Sequence, residues 1–257
     1  MIISTKEHET LMTQSTIAIV TGASGGIGAA VSKVLAADGH FVHGLCFRAT
    51  DDALETWNSE LRGAGRMHRQ DLRDHSQTAA LVQSIIQQDG APSVLVNCAG
   101  ITRDSSFAKM TYEDWCIVLD TNLRSLFSVT HPVFLAMRER RYGRIINIGS
   151  INGQRGQFGQ CNYAAAKAGI HGFTMSLAQE GARYGVTVNT VAPGYTDTSM
   201  VAGMSAEVRD SIIRTIPTQR LASPDEVAAC VRFLASGDAS YVTGADFSVN
   251  GGLHMKA

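Results

Sequence analysis

Apolar residues fall along this chain in two rhythms. Short, near-continuous apolar and β-branched runs such as Ile17-Ala18-Ile19-Val20, Val94-Leu95-Val96 and Val186 to Val191 predict strands covered on both sides. Phe41 to Leu45, Met67 to Gln70, Arg144 to Ile148 and Phe247 to Val249 bring the predicted strands to seven. Between them, longer segments read as helices: Gly26–Asp38, Asp52–Arg62, His75–Gln88, Tyr112–Arg140, Gln160–Tyr184 and Pro224–Ser236. Parallel strands need connections of helix length, so the alternation predicts an α/β fold with a parallel sheet. Neither an internal repeat nor a linker is visible. Residues 16–257 are therefore expected to form a single Rossmann-like, doubly wound domain, a seven-stranded parallel sheet flanked by helices.

Two stretches break the rhythm. Residues 1–15 are polar and are expected to be a disordered or extended tail, with Met12 a second candidate start. After Pro193-Gly194 closes the sixth strand, Tyr195 to Ile216 has little strand character; a mobile lid and a plain helical excursion both fit it.

Composition narrows the function classes. A net charge of −1 over 257 residues argues against a protein that tracks nucleic-acid phosphates. No apolar run nears the ~20 residues that span a bilayer, and the N-terminus lacks the apolar centre of a secretory signal. Neither a membrane nor a nucleic acid is an expected partner. Five scattered cysteines without a C-x-x-C pair give neither a disulfide framework nor a zinc signature, so a reducing, cytoplasmic setting without metal is expected.

The first strand runs into Thr21-Gly22-Ala23-Ser24-Gly25-Gly26-Ile27-Gly28 and then a helix. Glycines let the backbone approach a pyrophosphate, and the helix start offers unpaired N–H groups with a positive dipole end. A tight turn without a ligand is the plain alternative, but strand, glycine loop and helix in this order are the context a dinucleotide site requires. In such units a carboxylate ending the second strand holds the ribose hydroxyls. Here no acid lies between Phe41 and Thr50, and Arg48 stands there instead. A guanidinium suits a 2′-phosphate, which favours NADPH over NADH. The counter-reading makes Arg48 a solvated charge and gives the carboxylate's work to Asp51 or Asp52. Asp71, next to Leu72 at the end of the third strand, suits an adenine amino group or a helix N-cap equally. Asn97-Cys98-Ala99-Gly100 brings further small residues to the crevice.

Tyr163-Ala164-Ala165-Ala166-Lys167 puts a phenol and an ammonium one turn apart on one helix face. A free phenol, with a pKa of about 10, is a poor acid–base group at neutral pH, and a nearby cation lowers that value. Ser150, thirteen residues earlier at a strand end, can polarise a carbonyl while the phenol protonates it. Asn122 lies inside a helical pattern, where an amide usually costs something unless it has a task. Holding a water that relays protons to Lys167 is one such task. Singly, each residue is ordinary; beside the glycine loop they point to carbonyl reduction.

Thr21–Gly28, Asn97–Gly100, Asn122, Ser150, Tyr163, Lys167 and Pro193-Gly194 together resemble the short-chain dehydrogenase/reductases, over nearly the whole chain from about Met12 to Met255. The resemblance implies a Ser150–Tyr163–Lys167 triad with Asn122 as fourth member. It also implies a homotetramer and a nicotinamide dinucleotide held by Gly22, Ser24, Gly25, Gly26, Ile27 and Gly28. Further contacts would come from Arg48, Asp71, Leu72, Asn97, Ala99, Gly100, Tyr163, Lys167, Pro193 and Gly194. Cys98 departs from the pattern: the family commonly has a second Asn there, largely a sheet-stabilising residue, so local stability is the point in doubt. A narrower resemblance, to the acetoacetyl-CoA reductases within that family, rests on Asn97 to Asp104, Asn152 to Gln160, Pro193-Gly194-Tyr195 and Asn250 to Met255. It implies reduction of acetoacetyl-CoA to the (R)-3-hydroxyacyl-CoA used in polyhydroxyalkanoate synthesis. It further implies an acyl-CoA site lined by Asp104, Lys109, Gln157, Phe158, Gln160 and Tyr195.

Two rivals stand beside this reading. A 3-oxoacyl-acyl-carrier-protein reductase would run the same chemistry on an acidic carrier, docked on Arg138-Glu139-Arg140-Arg141-Tyr142-Gly143-Arg144. A non-enzymatic nucleotide-binding regulator of this superfamily typically loses the Tyr or the Lys, and both are present here.

Overall fold

The computed structural model describes residues 16–198, 201 and 203–255, so the tail expected at 1–15 lies outside the described residues. The strands are β1 (Thr16–Thr21), β2 (His40–Cys46), β3 (Gly65–Arg69), β4 (Val94–Asn97), β5 (Gly143–Ile148), β6 (Val186–Pro193) and β7 (Asp246–Val249). They form one seven-stranded sheet in the order β3-β2-β1-β4-β5-β6-β7. Every pairing is parallel, as the helix-length connections predict. The chain winds outward from β1 through β2 to β3, then returns to lay β4 on the other side of β1. That reversal opens a crevice beyond the carboxyl ends of β1 and β4.

Helices α1 (Gly26–Ala37), α2 (Asp51–Glu60), α3 (His75–Asp89), α4 (Tyr112–Leu119), α5 (Ser125–Arg140), α6 (Ile151–Arg155), α7 (Cys161–Gly181), α8 (Ala206–Thr215) and α9 (Pro224–Ala235) accompany the sheet. Successive residues of β1 serve opposite faces. Ala18 and Val20 join a core with Val31 and Leu35 of α1 and Val227, Val231 and Leu234 of α9. Ile19 joins the second core, with Val82 and Ile85 of α3 and Val129, Val133 and Met137 of α5. Glycines at 44 and 65 make room for the buried indole of Trp57 on α2: a Cβ there would stand 3.0 and 2.9 Å from its ring. Ser223 and Glu226 form a capping box that starts α9, with Pro224 in its first turn. No helix among the described residues is long and apolar enough to cross a membrane.

The structure departs from the sequence pattern in three places. The helix expected over Tyr112–Arg140 is interrupted by a π turn at Asp120–Arg124. This wider turn carries the buried Asn122, whose amide bonds the Ile101 backbone in both directions. The helix expected to Tyr184 stops at Gly181 and ends in a 3₁₀ turn, Ala182–Tyr184. The segment read as lid or excursion contains α8, capped by Ser205 and mostly exposed, with Ile212 and Ile213 packed near Val201, Ile216 and Leu221.

A pair of histidines ties the β2–β3 edge together. His43 is buried, its Nδ1 lies 3.0 Å from His68 Nε2, and its Nε2 lies 3.3 Å from Asp89. Burial, aided by the charge on His68 and Arg66, drives the His43 pKa from 6.5 down to about 4, against the opposing pull of Asp89. Between those values the unfolded chain binds more protons than the folded one, so stability is full above pH 6.5 and falls as pH drops toward 4. The loss from this residue is on the order of 2–3 kcal/mol. Chemical denaturation followed from pH 7 to 5 should reveal this slope, and His43→Gln should flatten it; an unchanged slope in that variant would remove His43 from the account.

Candidate active site

The glycine loop closes on its own backbone. Gly22 has φ +66°, and a Cβ there would stand 2.8 Å from the Ala99 Cα; one on Gly28 would stand 2.2 Å from the Gly22 oxygen. Thr21 Oγ1 accepts the amides of Cys98 and Ala99, both at 3.0 Å, and so fastens β4's end to β1's. Gly25 precedes α1 without a side-chain cap, and no acid lies in the first turn. The dipole end and amides of α1 are thus left for an anionic ligand. A Cβ on Gly25 would meet only the Gly22 oxygen, at 3.3 Å, so the cradle is open where a diphosphate would approach.

This loop borders a cleft of about 560 Å³, inside the size range of small-molecule sites. Gly22, Ser24, Gly25, Gly26, Ile27 and Gly28 line it, as do Arg48, Asp71, Leu72, Ala99, Gly100, Tyr163, Lys167, Pro193 and Gly194. Asn97 is absent from this lining, contrary to expectation. Its buried amide donates to Thr130 at 3.0 Å and to Asn147 at 2.8 Å, inside the sheet.

At the far end, the carboxylate that borders the cleft beside Arg48 is Asp71, and it is paired with Arg73. Asp51 pairs with Arg69, and neither Asp51 nor Asp52 borders the cleft. Arg48 and Arg73 both lie 5.4 Å from the Phe47 ring centre, and all three residues line the cleft. Asp71 is not a helix cap; Asp74 fills that place on α3. The Asp71 carboxylate instead accepts from Arg73 Nε at 2.9 and 3.1 Å and from its backbone N–H at 3.0 Å. The Arg73 guanidinium holds that carboxyl below its usual range. Arg73 was not singled out from sequence, where Asp71-Leu72-Arg73 reads as the approach to a helix.

Ser150 lies two residues beyond the end of β5 and caps α6, its Oγ accepting from Asn152 N–H at 3.1 Å. Lys167 is 3% exposed and its Nζ donates to the Ile148 carbonyl at 2.7 Å. The ammonium sits 5.6 Å from the Tyr163 ring centre, so the two side chains share a face as their spacing requires. The electrostatics differ from expectation. Burial raises the Tyr163 phenol to about 12 and overrides the opposing hydrogen bond with Ser150; burial also lowers Lys167 to about 8. The phenol is therefore neutral at physiological pH, with the Asp104 charge adding to the effect of burial. Asn122 is 1% exposed; Oδ1 accepts from Ile101 N–H at 2.8 Å, and Nδ2 donates to Ile101 O at 2.9 Å. Its amide thus anchors the loop after β4 rather than lining the cleft. Cys98 lies near Lys167, with its thiol pushed up to about 11 by burial, and Asn97 bonds Asn147 between β4 and β5.

Of the residues assigned to an acyl-CoA site, Asp104, Gln160 and Tyr195 border the cleft, while Lys109, Gln157 and Phe158 do not. Phe158 is 89% exposed, and Lys109 ends an exposed 3₁₀ turn. Ile101, Thr102, Ile117, Thr121 and Met204 line the cleft and were not foreseen. Ile117 and Thr121, four apart and just before Asn122, were legible as one helix face. The arginine run at 138–144 lies where α5 ends and β5 begins, whereas the cleft opens where β5 ends at Ile148. A strand of that length separates them by roughly 20 Å.

A family described as Enoyl-(Acyl carrier protein) reductase matches residues 22–254. An acetoacetyl-CoA reductase of Allochromatium vinosum is 51% identical over 242 residues, covering 93% of this chain and 98% of the relative. One from Acinetobacter is 49% identical over 250 residues, covering 95% and 100%. A 3-oxoacyl-acyl-carrier-protein reductase of Vibrio cholerae is 42% identical over 239 residues, covering 93% and 97%. With its reversed parallel sheet, glycine loop and paired phenol and ammonium, the chain belongs to the short-chain dehydrogenase/reductase family of nicotinamide-dependent oxidoreductases.

Proposed function

We propose that this protein reduces short 3-oxoacyl-CoA thioesters, acetoacetyl-CoA above all, to (R)-3-hydroxyacyl-CoA with NADPH, in the cytoplasm, for polyhydroxyalkanoate synthesis. The observation that carries the reading is one cleft bordered by the uncapped start of α1 and by Ser150, Tyr163 and Lys167. The similarity to acetoacetyl-CoA reductases supports the substrate class. A reduced nicotinamide, when bound, supplies a hydride to the 3-carbonyl carbon. The loop Gly22–Gly28, Ala99-Gly100 and Pro193-Gly194 hold the dinucleotide. Arg48 and Arg73 take its 2′-phosphate, a role planar guanidinium groups fill well, with Arg73 held beside the cleft by its ion pair with Asp71.

Tyr163 holds the proton that the carbonyl oxygen receives. A phenol near 12 keeps that proton until negative charge develops on the oxygen. Ser150 Oγ donates to the same oxygen, a preorganised contribution of the oxyanion kind. Lys167, near 8, is mostly cationic at neutral pH and stabilises the phenolate left behind. Its contact with the nicotinamide ribose is part of this reading. Asn122 holds the Ile101 backbone and with it the substrate side of the cleft. Exposed large apolar side chains on α5 (Phe127, Leu135), α7 (Met175) and α9 (Phe233) support a homotetramer. The arginine run lies away from the cleft, which favours a CoA thioester over a carrier-protein substrate.

Tyr163→Phe should lower kcat about 10²–10⁴-fold while NADPH binding, followed by fluorescence, stays within about threefold; wild-type turnover overturns the assignment of the acid. Arg48→Ala and Arg73→Ala should each raise the KM for NADPH by about tenfold and leave that for NADH nearly unchanged. Comparable losses with both coenzymes would remove the 2′-phosphate from the argument. In steady-state assays kcat/KM should be higher for acetoacetyl-CoA than for the acetoacetyl carrier protein, and the reverse order would replace the substrate proposed here.

A further inference from the structure

We infer that Asn162 is a positioning residue that holds the substrate-facing loop in register with Tyr163; this rests on the reading of Tyr163 as the proton donor. Asn162 directly precedes Tyr163 in α7 and has no exposed surface. Its Oδ1 accepts the Tyr163 N–H at 2.8 Å. Its Nδ2 donates to the carbonyls of Arg103, at 3.1 Å, and Asp114, at 3.2 Å. One amide thus joins the catalytic helix, the loop after β4 and α4. The site needs an acceptor on one arm and two donors on the other, which among uncharged side chains of this length is the inventory of asparagine.

Capping alone would not require this. Gln160, at the N-cap of α7, makes no side-chain cap bond, and an acceptor oxygen inside the first turn is enough to serve the helix amide. The outward reach of Nδ2 has a different object, the segment whose Thr102, Arg103 and Asp104 border the cleft. Two further bonds cross the same seam: Ser105 N–H to the Gly159 carbonyl at 2.8 Å, and Gln160 Nε2 to Asp104 Oδ2 at 2.7 Å. At its other end this loop is fixed by the amide of Asn122 on Ile101. Residues 101–105 are therefore clamped between two buried asparagines, and Asn162 is the one bonded to the residue that carries the phenol. Misplacing reacting groups by about 1 Å costs about 10²-fold in rate, so a loosened seam is expected to reach turnover.

The test is a double-mutant cycle on acetoacetyl-CoA reduction with Asn162→Ala, Tyr163→Phe and both together. In the wild-type background Asn162→Ala should lower kcat by about tenfold or more while the KM for NADPH moves less than about twofold. In the Tyr163→Phe background the same change should alter the residual rate by less than about twofold, because register to the phenol no longer matters. Equal fold-losses in both backgrounds, or an unchanged kcat, overturn the inference. Full activity in Tyr163→Phe overturns the underlying reading of the acid, whereas a slow Tyr163→Phe beside a normal Asn162→Ala overturns this inference alone. Asn162→Asp keeps the acceptor for Tyr163 and, when ionised, has no N–H to donate to the Arg103 and Asp114 carbonyls, so kcat should fall as in the alanine variant, and a normal kcat overturns the inference. Hydrogen exchange on the unaltered protein offers a check without substitution. The Ser105 and Tyr163 amides should open together, and independent opening counts against the clamp.

Discussion

A cation held out of water is the condition around which this site is built. Lys167 is almost wholly buried, and its ammonium recovers part of the lost hydration by donating to the Ile148 carbonyl. That carbonyl lies on the last residue of β5, beside the crevice. The desolvation is uneven in its consequences. It lowers the lysine and raises the phenol, so the resting pair at neutral pH is a mostly cationic amine beside a neutral hydroxyl. Coulombic attraction becomes large only when the phenol gives up its proton, since a pair in low dielectric interacts far more strongly than one in water. The arrangement favours the charged transition state over the uncharged ground state, which is what a proton-donating site requires.

Such a site needs a floor that does not yield. Beneath the cleft runs a buried polar ladder: Asn97 to Asn147 at 2.8 Å, Asn147 to Thr174 at 2.9 Å, and Thr174 to Thr190 at 2.8 Å. It links β4, β5 and β6 to α7, seven residues beyond Lys167 on the same helix. Buried amides and hydroxyls are costly unless satisfied, so a ladder whose members satisfy one another admits few alternative packings. Thr21 extends the same logic to β1 by receiving two amides from the end of β4. The glycine loop, the fourth strand and the catalytic helix are thereby referred to one rigid frame.

Charge is distributed over the molecule to match. The cations that border the cleft are few: Arg48 and Arg73 near Phe47, Arg103 on the loop after β4, and Lys167. The denser arginine group, with Arg138 and Arg183 flanking the Tyr184 ring at 4.5 and 4.7 Å, lies on the edge where strands begin. There the guanidinium groups bond carbonyls: Arg140 to Ala91 and Arg141 to Arg183. Their role in the fold is to satisfy chain ends, and a run that reads in sequence as a docking surface is, in three dimensions, largely a set of terminal contacts.

Local chemistry was enough to determine much of this. Central strands buried on both faces read as near-continuous apolar runs and the edge strands followed from the alternation with helices, so all seven were legible, as were the glycine turn and the one-turn spacing of Tyr163 and Lys167. Those features depend on backbone geometry and on neighbours a few residues away. Tertiary structure decided the rest. Whether the phenol's pKa rises or falls depends on how much protein surrounds it, and the sequence expectation of a lowered value gave way to burial. Asn97 turned inward because β5 supplies Asn147 as its partner, and Arg73 reached the cleft because it folds back on Asp71. The π turn at Asn122 answers a backbone segment some twenty residues earlier in the chain. Phe158, plausible on paper as an acyl contact, points to solvent. Each of these outcomes was set by groups brought together from distant parts of the chain, which periodicity and spacing do not encode.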